Sequence, residues 1–197
     1  MKALVVYSHP NPNSFTSAVK DQVLEVLGEK GFENRLTDLY DENFNPIIDK
    51  DELETYLDTE FNQKGLENHI ENLLWCDTLI FVYPTWWYGL PAMLKGWLDR
   101  CFLPGVAFHM PDGEGKIKPG LKHITRVGLF TTAGATSLVT FLMGAPGKRT
   151  ILRAVKSLCK WPCKKVFLAH YSMDTSTPES RNLHLKRVRS NMVRFLS

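Results

Sequence analysis

The sequence predicts an α/β fold of the doubly wound type, with a five-stranded parallel sheet and helices on both faces. Short apolar segments alternate with amphipathic helical patterns along the 197 residues. One of these segments, TLIFVY at 78–83, is apolar throughout, which is expected of a central strand covered on both faces. No internal repeat or low-complexity segment interrupts the alternation, so we expect one domain over 1–197.

Five strands and five main helices account for most of the chain. The first helix carries Val19, Val23 and Leu27 on one face, and Gly31 follows as its stop signal. The last helix begins after STPES, which contains capping and proline signals. We predict strands at 2–7, 35–39, 78–83, 126–131 and 165–169, and helices at 14–30, 66–74, 91–102, 150–159 and 178–196, with a short helix near 51–57.

Composition excludes several classes of protein. The chain has 24 Lys and Arg against 21 Asp and Glu, and a net charge of +3 is too small to indicate a nucleic-acid partner. The basic residues of the last helix are interpreted as a solvated face. The apolar start is too short for a signal peptide, and no apolar run approaches the roughly 20 residues of a membrane span. We therefore expect a cytoplasmic protein that is not embedded in a membrane.

The four cysteines follow none of the common zinc or redox spacings. They are Cys76, Cys101, Cys159 and Cys163, and the last two are separated by three residues. In a cytoplasmic compartment such residues are expected to be reduced thiols, buried as small apolar side chains. We predict no metal site.

Ligands of doubly wound sheets bind outside the carboxyl ends of the strands, where the strand order reverses. The loops expected there are 8–17, 84–90 and 131–137. They are also the most unusual loops of the sequence. We therefore expect the functional site to lie among them.

The first loop, SHPNPNSFTS, leads directly into a helix N-terminus. Free backbone N–H groups and the helix dipole favour an anion at that end, and the Ser, Thr, Asn and His side chains add donors from hydroxyl, amide and ring nitrogen groups. A phosphate is one interpretation. The other is that Asn13 or Ser14 only caps the helix. No Gly-x-Gly-x-x-Gly or Gly-Lys-Ser/Thr motif is present, so a Rossmann dinucleotide site or a nucleotide triphosphatase is not expected.

The second loop, PTWWYGLP at 84–91, places three aromatic residues in one turn. Their side chains cannot all point into the core, so a flat polar heterocycle that stacks on a ring and bonds to the backbone would explain them. Packing under neighbouring loops or at a subunit interface is the alternative. The third loop, TTAGA at 131–135, offers hydroxyls and small residues. An ordinary turn explains it equally well. Together the three loops suit a flavin nucleotide.

These segments resemble a known family. SHPNPNSFTSA, FVYPTWWYGLPAMLKGWLDR and GLFTTAG are similar, in order and over nearly the whole chain, to the flavodoxin-like NAD(P)H:quinone oxidoreductases, and the chain looks like their shorter bacterial-type members. The resemblance implies the strand order 2-1-3-4-5, a non-covalent FAD or FMN, NAD(P)H as co-substrate and a homodimer with the active site near the subunit interface. The segment ATSLVTFLMGAP departs from larger members, which carry Tyr and His there, and Ala133 replaces a family glycine.

The resemblance also implies the residues that contact the flavin. The phosphate and ribityl part would be held by His9, Ser14, Phe15, Thr16 and Ser17. The isoalloxazine would be bordered by Pro84, Thr85, Trp86, Trp87 and Tyr88, and its pyrimidine edge would meet Thr131, Thr132, Ala133 and Gly134.

The predicted reaction is hydride transfer. In this hypothesis a reduced nicotinamide stacks on the flavin, passes a hydride to N5 and leaves, and a quinone or similar acceptor then takes the hydride in the same slot, which gives ping-pong kinetics. No side-chain nucleophile is expected. Alternatives are a flavodoxin-type electron carrier, an ancillary regulatory subunit of a potassium efflux system, and an azo- or nitro-reductase that differs only in its acceptor.

Two further segments have open interpretations. His109, in VAFHMPDGEGK, is either a substrate-site residue from a loop over the flavin or a solvated loop histidine. GAPGKR at 144–149 is a predicted loop that orders over the site, meets a nicotinamide phosphate, or faces water.

Overall fold

A five-stranded parallel sheet forms the centre of the structure, a computed structural model that describes residues 1–111 and 113–197. Its strands are β1 (Lys2–Tyr7), β2 (Glu33–Asp38), β3 (Thr78–Thr85), β6 (Arg126–Ala133) and β7 (Lys164–His170). They lie in the order β2-β1-β3-β6-β7, and every neighbouring pair is parallel. Numbered among themselves, the five strands have the predicted order 2-1-3-4-5. A separate two-stranded antiparallel sheet pairs β4 (Phe108–His109) with β5 (Lys118–Pro119).

Successive residues of the central strands enter two different apolar clusters. Leu4 and Val6 of β1 belong to one cluster, whereas Ala3 and Val5 belong to the other. This follows from the two-residue period of a strand, which sends neighbouring side chains to opposite faces. Both faces are apolar because helices cover both, as predicted.

The helices divide between the two faces according to their apolar stripes. The face of Val5 is covered by α1 (Phe15–Glu29) and α7 (Pro178–Leu196), which also pack on each other. The face of Leu4 is covered by α3 (Glu67–Trp75), α4 (Ala92–Cys101) and the segment around Ile151. The helices are α1 (Phe15–Glu29), α2 (Lys50–Glu54), α3 (Glu67–Trp75), α4 (Ala92–Cys101), α5 (Ser137–Leu142), α6 (Pro146–Arg149) and α7 (Pro178–Leu196), with a π-helical segment at Thr150–Val155 and a 3₁₀ turn at Met173–Thr175.

The region after β6 differs most from the prediction. One helix was expected at 150–159, but the structure has α5, α6 and the π-helical segment, which ends at Val155. The predicted GAPGKR loop is therefore wrong in part, because Pro146 starts a short helix there. The strands β3 and β6 also run two residues further than predicted, so Pro84, Thr85, Thr132 and Ala133 are strand residues rather than loop residues.

The four cysteines were predicted to be buried thiols. All four cysteines are buried free thiols, and their predicted burial is confirmed.

In the part of the chain that the structure describes, none of the helices combines the length and the apolar composition that crossing a bilayer requires.

Candidate functional site

The three predicted loops meet at one edge of the central sheet. The hydroxyl oxygens of Thr16 and Thr132 lie 2.8 Å apart, which joins the first loop and helix to the end of β6. The hydroxyls of Thr85 and Thr131 are also 2.8 Å apart. The rings of His9 and Trp86 lie 6.2 Å apart, between centroids. The predicted convergence of the loops is thus confirmed, although the contact of these residues with a flavin stays a prediction.

The N-terminus of α1 is open toward this edge. Ser14 is the N-cap, and its hydroxyl accepts a hydrogen bond from the backbone of Ser17 at 3.1 Å. Within residues 1–111 and 113–197, the backbone N–H groups of Phe15 and Thr16 make no hydrogen bond. The first turn contains no acidic residue. Capping by Ser14 therefore leaves two donors and the positive end of the dipole available to an anion.

His9 presents one ring nitrogen to the same space. Its Nδ1 accepts a hydrogen bond from the backbone of Asn11 at 3.0 Å, so the neutral ring carries its proton on Nε2. Burial lowers the pKa of His9, against the opposing effect of the Asn11 contact. The sequence suggested that either nitrogen could donate, but the structure leaves this role to Nε2 alone.

The aromatic turn at 86–89 has a strained backbone. The N–H of Gly89 donates to the carbonyl of Trp86 at 2.9 Å, and both central residues have positive φ, 47° at Trp87 and 62° at Tyr88. This is the pattern of a type I′ turn, whose central positions normally take Asn, Asp or Gly. Trp87 is 94% exposed, so core packing does not compensate for the strain. Strain of about 1–3 kcal/mol per residue points to a functional requirement for the two rings.

A pocket of about 260 Å³ lies beside this turn. Thr85, Trp87 and Tyr88 line it from the β3 side. Ala133 and Gly134 line it from the end of β6, where an added Cβ at Gly134 would lie 2.9 Å from Oδ2 of Asp174. Small residues at this wall leave space for a flat ligand.

Ala135 of the predicted third loop also lines this pocket, and so does Thr140, which was missed. Thr140 belongs to α5, a helix that we did not predict. The signal was present, because Thr136 precedes the helix and its hydroxyl accepts from the backbone of Val139 at 3.3 Å, as an N-cap does.

A second pocket, of about 220 Å³, lies on the β2 side of the first loop. Its lining includes His9 and Ser17 together with the unpredicted residues Tyr7, Lys20 and Tyr40. The Tyr7 hydroxyl is buried and has no hydrogen-bond partner in the described structure, and burial is the main cause of its raised pKa. Lys20 lies with its ammonium 5.1 Å from the Tyr7 ring centroid. Lys20 pairs with Asp21 at 2.9 Å, and Asp38 and Asp41 also line this pocket. These carboxylates oppose a second anionic group there, so the N-terminus of α1 remains the better anion site.

The position of Lys20 beside Thr16 could have been predicted from the sequence. It follows Thr16 by four residues on α1 and therefore shares its face. The place of Tyr7 in the pocket could not be predicted, because Tyr7 is the last residue of an apolar strand and its ring belongs to the core cluster.

Several predicted residues shape the site without offering a free side chain. The hydroxyl of Thr131 donates to the carbonyl of Tyr83 at 2.7 Å, and the hydroxyl of Thr132 is bonded to Thr16. Both threonines are only 5% exposed, and Pro84 is also buried. The ring of Phe15 packs edge-on against His170 and His184.

The structure does not bring His109 to either pocket. His109 is exposed and pairs with Lys118 in the small antiparallel sheet, and it lines neither cavity. The neighbouring Asp112 of the same predicted loop lies outside the described residues.

A larger hollow of about 600 Å³ is a poor candidate for an anionic cofactor. It lies beside β2 and α3, and its lining includes the carboxylates of Glu42, Glu67 and Glu71. Three acidic groups against one Arg35 and one His69 repel a phosphate, whereas the N-terminus of α1 attracts it.

Comparison with known proteins agrees with the fold. A family profile described as flavodoxin-like fold matches residues 1–192. An uncharacterised NAD(P)H oxidoreductase of Haemophilus influenzae is 33% identical over 136 residues, which are 68% of this chain and 65% of the relative. NAD(P)H dehydrogenase [quinone] 1 of Rattus norvegicus is 33% identical over 194 residues, which are 90% of this chain and 67% of the relative.

A solved structure extends the likeness to three dimensions. The Smu.1420 protein of Streptococcus mutans superposes with a TM-score of 0.83 at 28% identity, covering 98% of this chain and all of that one. The chain spans just under two thirds of the length of the first curated relatives that it matches, 65% and 66%. The profile match, the strand order and the relatives together show that the chain belongs to the flavodoxin-like family of NAD(P)H:quinone oxidoreductases.

Proposed function

We propose that the chain is a flavin-dependent NAD(P)H oxidoreductase that holds FAD or FMN without a covalent link and passes a hydride to a quinone or a similar acceptor. One observation carries the proposal. Three features lie at a single sheet edge, namely the open N-terminus of α1, the strained aromatic turn and the small-residue wall of β6. The hydroxyls of Thr16 in α1 and Thr132 in β6 lie 2.8 Å apart and join two of these features. Family membership supports the same reaction class.

The residues at this edge match the chemistry of a flavin nucleotide. The N–H groups of Phe15 and Thr16, with Nε2 of His9, suit its phosphate. The rings of Trp87 and Tyr88 suit the flat heterocycle, and Ala133 and Gly134 let it approach the backbone. When bound, the flavin supplies the hydride chemistry, and the protein contributes orientation and N–H donors toward developing negative charge.

A single slot is proposed for both the nicotinamide and the acceptor. The pocket of about 260 Å³ is lined by Trp87 and Thr140, and the ring of Trp87 is open to solvent. Sequential use of one slot gives ping-pong kinetics with parallel double-reciprocal lines. Intersecting lines would contradict the one-slot scheme.

The homodimer implied by the resemblance is part of the proposal. Leu138 and Leu142 are exposed at i and i+4 on α5, and Met143 is exposed beside them. An exposed apolar helix face next to the pocket fits a second copy of the chain that completes the site. The single domain over 1–197 also stays a prediction.

The first test is the visible spectrum of the purified protein, followed by mass spectrometry of the released cofactor. We expect a yellow protein that oxidises NADH or NADPH in the presence of menadione. A flavodoxin-type carrier would bind flavin but react poorly with NAD(P)H. An ancillary subunit would co-purify with a membrane transporter, and an azo- or nitro-reductase would prefer those acceptors over quinones. A colourless protein that neither flavin reconstitutes would overturn the proposal.

A further inference from the structure

A second group of cations lies close to the candidate site and is not used by the proposed chemistry. Lys148 and Arg149 of α6, Arg153 of the π-helical segment and Lys165 of β7 line a pocket of about 260 Å³, called here the cationic pocket. Three separate elements therefore direct positive side chains toward one cavity. Phe141 of α5 and Leu152 provide its apolar wall.

No carboxylate balances these charges in the described structure. None of the four cations forms an ion pair there, although other Lys and Arg side chains do, such as Lys95 with Asp99 and Arg189 with Glu29. Arg149 and Arg153 are four residues apart in continuous helical backbone, a spacing at which like charges repel. The ammonium of Lys148 lies 4.2 Å from the ring centroid of Phe167, and this cation–π contact orients the side chain. A convergent, uncompensated cluster of this kind is suited to an anion with more than one negative charge.

The cationic pocket is connected to the site through α5 and α6. Thr140 lines the pocket beside Trp87, and the next residue, Phe141, lines the cationic pocket. The N–H of Gly147 in α6 donates to the carbonyl of Tyr88 at 3.4 Å, and a Cβ at Gly147 would lie 3.1 Å from the Tyr83 hydroxyl and the Gly89 backbone. The same short segment therefore contacts the aromatic turn and carries two of the cations.

We infer that the cationic pocket binds the adenosine 2′-phosphate of the reduced nicotinamide co-substrate, and thereby makes the enzyme selective for NADPH over NADH. The inference rests on the proposed function, because it places the nicotinamide of the same molecule in the pocket beside Trp87. The 2′-phosphate is a dianion that NADH lacks, and the exposed ring of Phe141 offers a face for adenine. A π-helical segment, which is rare and frequent at functional sites, carries Arg153.

The inference is tested first by kinetics of the holoenzyme with menadione as acceptor. We expect kcat/KM for NADPH to exceed that for NADH by roughly tenfold or more, since several charge-assisted hydrogen bonds are lost with the phosphate. In the variant Arg149→Ala/Arg153→Ala this ratio should collapse toward unity, mainly through a higher KM for NADPH. Lys186→Ala, on the solvated face of α7, is the matched control and should keep the wild-type ratio. Equal kcat/KM values for NADPH and NADH in the wild type, or an unchanged ratio in the double variant, would overturn the inference.

A binding measurement separates the inference from the proposed function. By calorimetry on the holoenzyme, 2′,5′-ADP should bind roughly tenfold more tightly than 5′-AMP, and added salt should weaken it. Inorganic phosphate binding as tightly as 2′,5′-ADP would reduce the site to a free-phosphate site and overturn the assignment to a dinucleotide. Selective binding of 2′,5′-ADP by a protein that oxidises neither nicotinamide would overturn the proposed function but support the ligand chemistry of the cationic pocket. An active enzyme without this selectivity would overturn only the inference.

Discussion

Trp87 and Tyr88 occupy two positions of a turn that ordinarily take other residues. A type I′ turn prefers Asn and Gly at its two central positions, yet this turn has two aromatic residues with φ of 47° and 62°. We predict that Trp87→Asn with Tyr88→Gly raises the free energy of unfolding by about 1–2 kcal/mol, because both new residues tolerate positive φ. Urea unfolding measures this gain.

The same double variant should lose flavin affinity, because the rings that border the proposed heterocycle are removed. Fluorescence titration of the apoprotein measures this loss. Unchanged flavin affinity together with increased stability would show that the aromatic residues serve another purpose, such as a subunit contact.

Gly96 is a second position of interest, because its surroundings leave no room for a side chain. It lies in α4, where an added Cβ would overlap the carbonyl oxygen and the Cβ of Pro46. We predict that Gly96→Ala lowers the free energy of unfolding by about 1–3 kcal/mol through this overlap. Gly28→Ala in α1 is the control, since nothing lies within 4 Å of the added Cβ, and it should be neutral or stabilising by about 0.5–1 kcal/mol. Equal effects at both positions would contradict the close approach of α4 to Pro46.

At the scale of elements, the contact between β7 and α7 contains a titratable cluster. His170 and His184 lie 4.8 Å apart between ring centroids, and both pack on Phe15 of α1. Burial, followed by the charges of His170 and Arg187, lowers the pKa of His184 to about 4. Burial and the charges of Arg181 and Arg187 also lower the pKa of His170. The folded protein therefore keeps these rings neutral.

This cluster predicts loss of stability in mild acid. Because the folded pKa of His184 lies below the ordinary 6.5, the unfolded chain binds the proton more readily. The stability is complete above pH 6.5 and falls as the pH decreases from 6.5 toward 4, by roughly 2–3 kcal/mol for His184. Urea unfolding at pH 7.5 and pH 5 should show a smaller decrease for His184→Leu than for the wild type. His109→Leu, at an exposed position, should retain the wild-type decrease.

The elements also show which parts of the fold the sequence can predict. β1, β3 and α7 were predictable because apolar runs and capping residues mark them, and α7 has the predicted bounds of 178–196. α5 was missed although Leu138, Phe141 and Leu142 have helical spacing, because the helix has only six residues and gives too short a pattern to identify. The π-helical segment was missed because its hydrogen-bond pattern depends on packing rather than on a residue motif.

Within the candidate site, the positions of the loops were predictable, whereas the contacts of individual side chains were not. The donors at the start of α1 and the aromatic turn were predictable, because both interrupt an otherwise apolar pattern. The hydroxyls of Thr131 and Thr132 were expected to be available to a ligand, but they bond to Tyr83 and Thr16. The contact of these two residues with a flavin stays a prediction. Only tertiary contacts decide between these outcomes, and such contacts also bring Lys20 and Tyr7 to the second pocket.

At the scale of the whole molecule, the proposed homodimer predicts a concentration-dependent mass. Light scattering after size exclusion should give about twice 22.5 kDa for the wild type. Leu138→Glu with Leu142→Glu should give a monomer, because burying two carboxylates in an apolar interface is unfavourable. Leu183→Glu on α7, also exposed, is the control and should remain dimeric. A dimeric Leu138/Leu142 variant would place the interface elsewhere.

The hydroxyl pair of Thr16 and Thr132 joins positions 116 residues apart in the chain. Because β3 lies between β1 and β6 in the sheet, we expect this contact to form only after β3 is in place. The start of α1 and the small-residue wall would then acquire their relative positions only when the sheet is complete. Binding of the proposed flavin should therefore be a late step of maturation, and the bound flavin should raise the melting temperature of the entire molecule rather than of one loop.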